Sequence, residues 1–357
     1  MSNSIAPGSA RDFDFSCLPP ILLPWYRDHA RPLPWRRDTE PDHVWVSEIM
    51  LQQTRAEAVC KYYTRFLESL PSIKALADAP EDELLKLWEG LGYYSRARNL
   101  QKAARQIQEQ YGGVFPDTIE AIRGLPGIGP YTAGAIASIC FGLPVAAVDG
   151  NVLRIITRMT EDDSPIDLMQ TKTKIAASLE AVYPCSACGD FTQALMELGA
   201  TICTPKSPKC AVCPVEARCG AFQNQTVLNF PVKLPKREKR LEYKTLFLLW
   251  CGDKIALTKR SDAGLLSNLW QLPNLNGRLT SEEALSAAAE FGVSPTELCK
   301  EIHKVHLFTH IRWEMTCYYL QCANPAPAFT WVSPEEIQTR YPLPTAFRMF
   351  LENGLLD

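Results

Sequence analysis

Four cysteines crowd into one short stretch: Cys203, Cys210, Cys213 and Cys219, separated by six, two and five residues. Thiols this close suit metal ligation better than a disulfide framework. The odd total of thirteen cysteines also speaks against complete pairing. Zinc usually takes two CxxC pairs, and only one pair is present here. Two carboxylates are the other candidates for chemistry. Glu48 lies in the periodic segment Val44–Leu67, with Val44, Trp45 and Leu51 on its helix face. An acid there is either paired with a distant Arg or Lys, or kept desolvated so that its pKa rises and it can donate a proton. Asp149 precedes Asn151, the expected N-cap of a helix Val152–Met159. It is either a cap itself or, beside an anion-binding turn, a negative group for a cationic transition state.

These side chains need a frame, and the stretch from Leu125 to Asn151 supplies it. It reads as two helices joined by a tight turn. Gly127 and Gly129 permit the positive φ of a very short connection, Pro130 presets the first turn of a helix Tyr131–Phe141, and Leu143-Pro144 stops it. The turn points bare backbone N–H groups outward at the positive end of a helix dipole, a site for a phosphate oxygen.

A chain of 357 residues can bury a substantial core and suggests two or three domains. Its formal charge of −3 and pI near 6.0 give no global nucleic-acid signature, so such binding must come from local basic patches and backbone amides. The apolar run Ile21–Leu23 is too short for a signal or a membrane span, and a soluble, intracellular, cytoplasmic protein is expected. Residues 1–17 show no period and are expected to be disordered, whereas 18–222 read as all helical. Residues 223–240 hold Asn224, Pro231, Pro235 and the basic tract Lys233–Arg240, and read as a linker crossed by few contacts. Residues 241–357 read as α+β. Tyr243–Trp250 and Lys254–Arg260 are strands around Gly252-Asp253, Lys304–Trp313 with Met315–Leu320 is a second pair, and Ser281–Phe291 is a helix. A second CxxC, Cys185 to Cys188, lacks a βαβ setting and reads as a loop with spare thiols.

Leu125-Pro126-Gly127-Ile128-Gly129, followed by Val148-Asp149-Gly150-Asn151, resembles the helix-hairpin-helix superfamily of DNA base-excision glycosylases. Within it the chain is similar to adenine DNA glycosylases of the MutY type, from about Pro24 to near the C-terminus. The resemblance implies a mainly α fold, a six-helix barrel with an iron-sulfur module, followed by a Nudix-like C-terminal domain that recognises 8-oxoguanine. The latter rests on Gly264-Leu265-Leu266, Leu269 to Pro273 and Trp331 to Glu336. Val46 to Thr54 matches the family's catalytic-acid segment, so Glu48 would protonate adenine. Asp149 would stabilise C1′ as an ion partner or transient nucleophile, the two-carboxylate logic of glycoside cleavage. Asn151 would position Asp149 and water, and Tyr131 would support the cationic intermediate. A lysine at position 131 would mark a lyase; tyrosine implies a monofunctional hydrolase, with Lys172 at most a weak amine.

The same resemblance implies an adenine pocket at Arg31, Trp35, Leu51 and Gln193. The adenine must be flipped out of the duplex. Gln53, Leu91 and Tyr93 would probe or stack beside the opposite base, Thr54 would contact it, and Gly127 and Gly129 would hold the backbone. Phe308, Thr309 and His310 would recognise 8-oxoguanine, with threonine where the family more often has serine. The cysteine spacing matches the family's [4Fe-4S] loop, with Lys206, Lys209 and Arg218 as a basic surface. The implied partner is double-stranded DNA carrying adenine opposite 8-oxoguanine or guanine, bound by a monomer with no membrane involved; a sliding clamp or other repair partner is left open.

Three alternatives compete. An endonuclease III-like lyase is opposed by Tyr131, Glu48 and the long C-terminal region. Nudix hydrolysis by residues 241–357 needs a helix dense in Glu, and Ala284–Phe291 offers only Glu290. A module that only binds DNA would leave Glu48 and Asp149 without purpose.

Overall fold

The periodic segment Val44–Leu67 is two helices, Pro41–Leu51 and Ala56–Ser69, not one. Gln53 breaks it by taking φ +59, a left-handed conformation that no helix continues, and the Thr54 N–H folds back onto the Leu51 carbonyl at 3.2 Å. The break leaves Glu48 in the last turn of the first helix. A computed structural model describes residues 13–235 and 238–351 of the chain. It divides into two units, Met1–Ala77 with Asn99–Pro235, and Asp78–Arg98 with Lys236–Asp357.

In the first unit the hairpin is formed by Ile119–Arg123 and Pro130–Phe141. Gly127 takes φ +80, and a Cβ there would lie 2.7 Å from Asn99 Cβ. Gly129 differs from the expectation. Its φ is −90, so it serves as an ordinary N-cap and needs no left-handed freedom. The helix ends at Gly142 in the left-handed region, one residue ahead of the Leu143-Pro144 stop. The next helix, Gly150–Thr160, buries Val152, Leu153, Ile155 and Ile156 against Phe191, Leu195 and Leu198 of Cys188–Thr201 and against Leu18 and Leu22 of Leu18–His29. Each such aliphatic side chain stabilises the fold by about 1.5–3 kcal/mol.

Residues 1–12 of the expected disordered tail lie outside the described residues. Phe13–Cys17 depart from that expectation: Phe15–Cys17 is a 3-10 turn capped by Asp14, and Phe13 and Phe15 pack onto the core. The expected linker departs too, since its first part is tied to the helical unit. The Ile166 N–H donates to the Val232 carbonyl at 3.1 Å, the Leu234 N–H to Asp167 Oδ2 at 2.9 Å, and Arg158 Nε to the Phe230 carbonyl at 3.1 Å.

The second unit carries strands β1 (Arg240–Cys251), β2 (Lys254–Lys259), β3 (Trp270–Gln271), β4 (Asn274–Asn276), β5 (Pro295–Leu307), β6 (Ile311–Cys322) and β7 (Thr330–Val332). Their order is β3-β2-β1-β6-β5, with β4 beside β1 and β7 beside β2. β1 and β6 run parallel and the β5–β6 pair is antiparallel. Alternation sends Leu246, Leu248, Met315 and Cys317 to a face closed by Ile337, Phe347 and Phe350. Phe247, Leu249, Tyr318 and Leu320 face Ala284 and Ala288 of the helix Ser281–Glu290. The expected break between Lys304–Trp313 and Met315–Leu320 falls elsewhere. The turn is Phe308–His310, where the Phe308 N–H meets the Ile311 carbonyl at 2.8 Å, and Trp313 belongs inside β6. Asp78–Arg98 joins this unit through Glu89, which accepts from the Leu343 N–H and from Arg348 Nη1, both at 2.8 Å.

Candidate active site

One cavity of about 520 Å³ gathers most of the candidate residues: Arg31, Trp35, Glu48, Leu51, Thr54, Tyr131, Asp149, Asn151 and Gln193 all line it. A space of that size accommodates a purine with its sugar. Glu48 is 4% exposed, and the Tyr131 hydroxyl donates to its Oε2 at 2.5 Å. Burial lifts the Glu48 carboxyl from 4.5 to about 7; the Tyr131 bond pulls it down, the Asp149 charge raises it, and Arg36 lowers it. Glu48 is therefore a carboxylic acid that holds its proton near neutrality and faces open space.

Asp149 bears out one of its two sequence readings, that of a cap. It is the N-cap of Gly150–Thr160, where Asn151 was expected to be, because its Oδ1 accepts from the Asn151 N–H at 2.9 Å and the Val152 N–H at 2.8 Å. The same carboxylate lines the cavity. Its Oδ2 accepts from Asn151 Nδ2 at 2.7 Å, and Arg154 Nη2 donates to Asn151 Oδ1 at 2.8 Å, which fixes the amide orientation. Burial raises the Asp149 pKa against the lowering effect of the Val152 and Asn151 hydrogen bonds. Gly199 makes the arrangement possible, since a Cβ at that position would lie 2.4 Å from Asn151 Cβ.

Two charged residues of this cavity, Glu197 and Arg36, are not among the residues the sequence singles out. Glu197 is fully buried and accepts from Arg31 Nε at 2.6 Å and from Arg36 Nη2 at 2.8 Å. Burial raises its pKa, but the Arg31 and Arg36 contacts outweigh that, so it stays ionised. A hidden arginine pair 161 to 166 residues away is visible only in the fold. Spacing places Glu197 four residues after Gln193, on one face of a helix, which is the one hint available.

Cys203, Cys210, Cys213 and Cys219 line one small hollow whose other walls include Ile155, Met159, Leu198, Ile202, Val215 and Phe222. Arg158 Nη1 donates to Cys203 Sγ at 3.3 Å. Burial raises the thiols of Cys210, Cys213 and Cys219, with Cys213 pushed up to about 12. Four thiols converging on an apolar hollow fit a metal group whose positive charge would draw off their protons. Among the described residues no three His, Cys, Asp or Glu side chains close around a single ion. Arg154 Nε donates to the Cys203 carbonyl at 2.8 Å, so one guanidinium braces both this loop and Asn151.

The remaining candidates fall on two turns of the second unit and on the helix break of the first. Tyr93 is 48% exposed at φ +47, and its hydroxyl lies 2.9 Å from Thr309 Oγ1. Leu91 is 7% exposed and presents little surface. Phe308 packs edge-on to Trp313 and His306, the Lys239 ammonium donates to its carbonyl, and the His310 carbonyl accepts from the Arg240 N–H. Gln53 is exposed at the break. Cys188 is buried and donates to the Pro184 carbonyl, whereas Cys185 is exposed, and neither lines the four-cysteine hollow. Among the described residues no helix is long and apolar enough to cross a membrane.

Comparison with known proteins gives two family matches. Residues 46–184 match the HhH-GPD superfamily of base excision DNA repair proteins, and 245–353 match the NUDIX domain. Adenine DNA glycosylase of Homo sapiens is 35% identical over 385 residues, covering 89% of this chain and 70% of the human protein. That of Schizosaccharomyces pombe is 31% identical over 393 residues, covering 89% and 85%. A thermostable thymine-DNA glycosylase superposes with a TM-score of 0.53 at 30% identity, covering 57% of this chain and 94% of its own. Endonuclease III in a non-covalent DNA complex gives 0.50 at 24% identity, covering 58% and 94%, a likeness of fold.

Proposed function

Because the chain belongs to the adenine DNA glycosylase family of base-excision enzymes, we propose that it flips and hydrolytically removes adenine mispaired with 8-oxoguanine, and with guanine more slowly, without cutting the strand. The carrying observation is the buried Glu48, its carboxyl raised to about 7, sharing one cavity with Asp149. Glu48 gives its proton to a ring nitrogen of the flipped adenine, and the bond from C1′ to the base breaks with its electron pair leaving on the neutralised base. Asp149 stabilises the positive charge left at C1′, held in place by Asn151 and by the helix start it caps. Water then adds to C1′ and returns a proton to Glu48. Tyr131 has no amine to offer and cannot form a Schiff base, so it supports Glu48 and the cation.

Arg31, Trp35, Leu51 and Gln193 hold the base, Tyr93, Gln53 and Thr54 attend to the opposite strand, and Phe308–His310 reads the 8-oxoguanine. Cys203, Cys210, Cys213 and Cys219 would hold a [4Fe-4S] cluster that stiffens the loop and takes no part in hydrolysis. We assign residues 18–222, apart from Asp78–Arg98, which packs with the second unit, to the catalytic region and 241–357 to the recognition domain of a monomer.

The deciding test is a single-turnover incubation with a duplex carrying adenine opposite 8-oxoguanine, read with and without hot alkali. Scission only after alkali supports the proposal; scission without alkali makes the protein a lyase. Tight binding with no base release would make it a damage-binding protein.

A further inference from the structure

Around Asp149 the catalytic cavity opens into a second hollow of about 570 Å³. Asp149, Asn151, Leu51 and Thr54 border both spaces, so a sugar whose C1′ faces Asp149 stands at their junction. The far wall is Leu228, Phe230, Pro231 and Lys233, from the segment the sequence reads as linker. That wall is fixed, not loose: on either side of Lys233 the Val232 carbonyl accepts from the Ile166 N–H and the Leu234 N–H donates to the Asp167 carboxylate. Leu228 is 69% exposed, an apolar surface with nothing of its own unit laid over it.

Three cations border the hollow. Arg154 is spent on Asn151, Gly199 and Cys203. Arg55 and Lys233 are exposed, and among the described residues neither is paired with a carboxylate. An apolar wall beside unpaired cations matches a nucleotide, which offers a sugar and base face next to a phosphate.

Resting on the glycosylase reading above, we propose that this hollow is a second nucleotide subsite, in which Lys233 binds one of the two phosphates flanking the flipped adenosine, while Leu228 and Phe230 back the adjoining sugar. The base turns into the first cavity, its sugar stops at Asp149, and the strand leaves through the second. The hairpin at Gly127–Gly129 then holds a further stretch of the backbone.

Affinity of Lys233→Ala and Lys233→Arg for a duplex with adenine opposite 8-oxoguanine, measured against salt, tests this together with duplexes bearing one neutral methylphosphonate in place of a chosen phosphate. Lys233→Ala is expected to weaken binding about tenfold and flatten the log-log salt slope by about 0.9, with Lys233→Arg restoring both. That loss is expected to vanish when one phosphate flanking the adenosine is neutral, and to persist when a phosphate five nucleotides away is neutral. An unchanged slope, or a loss that survives neutralising either flanking phosphate, overturns the subsite. Wild-type protein that releases no adenine from the parent duplex overturns the glycosylase reading instead, so the two failures are separable.

Discussion

Tyr93 and Thr309 stand 216 residues apart in the chain, and their hydroxyls meet at 2.9 Å. One hydrogen bond between them leaves a hydroxyl proton and acceptor lone pairs available on an exposed turn. A base with a further donor or acceptor on the edge it presents can bond either hydroxyl. Thr309→Ala is expected to cost the 8-oxoguanine duplex about tenfold in affinity, the worth of one good hydrogen bond, and to leave the guanine duplex within twofold. Thr309→Ser should restore the difference. Equal losses on both duplexes in a paired titration would remove Thr309 from recognition.

Glu48 is the acid in this scheme, so turnover should track its protonated fraction. With its carboxyl at about 7, the single-turnover rate should be flat below neutrality and fall about tenfold per unit above it. Glu48→Gln should abolish base release while keeping duplex affinity within a few fold. A rate that climbs between pH 7 and 9 would exclude Glu48 as the proton donor.

The same shift makes a statement about stability. The folded pKa lies above the ordinary 4.5, so ionising Glu48 opposes folding. The protonated form is fully favourable below 4.5, and that advantage is lost as pH rises toward 7. Glu48→Gln cannot ionise, and should become more stable than wild type across this window, by at most about 3 kcal/mol at pH 8. Denaturant midpoints at pH 4 and pH 8 compare the two proteins; a gap that does not widen with pH would mean that Glu48 is not desolvated.

Asp149 carries a cap and a charge, and Asn separates them. Asp149→Asn keeps an acceptor for the Asn151 and Val152 amides, so the melting temperature should fall by only a few degrees. Turnover should drop by 100-fold or more, because the negative charge facing C1′ is gone. Gly199→Ala is expected to lower turnover as well, through Asn151, by about tenfold. A large loss of stability with normal turnover in Asp149→Asn would reduce Asp149 to a structural cap.

Metal analysis separates the two cysteine sets. Purified protein should carry about four irons with matching sulfide, Cys213→Ser should lose them together with thermal stability, and the Cys185→Ser, Cys188→Ser double variant should keep the full iron content. Stoichiometric zinc in place of iron would remove the cluster assignment.

Much of this site was readable in one dimension because its determinants are local. Gly127 at positive φ, Pro130 at a helix start and Asp149 beside Asn151 each act within four residues, a range over which steric and capping rules operate directly. The apolar neighbours of Glu48 announced its burial in the same way. Gln53 was not readable, since a Gln in a left-handed break has no propensity signature and the period continues on both sides. Glu197 with Arg31 and Arg36, and Gly199 under Asn151, depend on packing between helices far apart in sequence. Phe308–His310 reads as strand because alternation runs straight through its turn, which carries neither Gly nor Pro.

Glu89 and its partners Leu343 and Arg348 lie 254 and 259 residues apart. At about 5–20 residues per second of synthesis, roughly 10 to 50 seconds separate their emergence from the ribosome. Asp78–Arg98 must wait that long for these partners, while the helices on both sides of it in sequence can already assemble. The chain is thus sewn rather than strung. A protease cut after Pro235 would not release two self-sufficient pieces, because one of them would carry off a wall that belongs to the other.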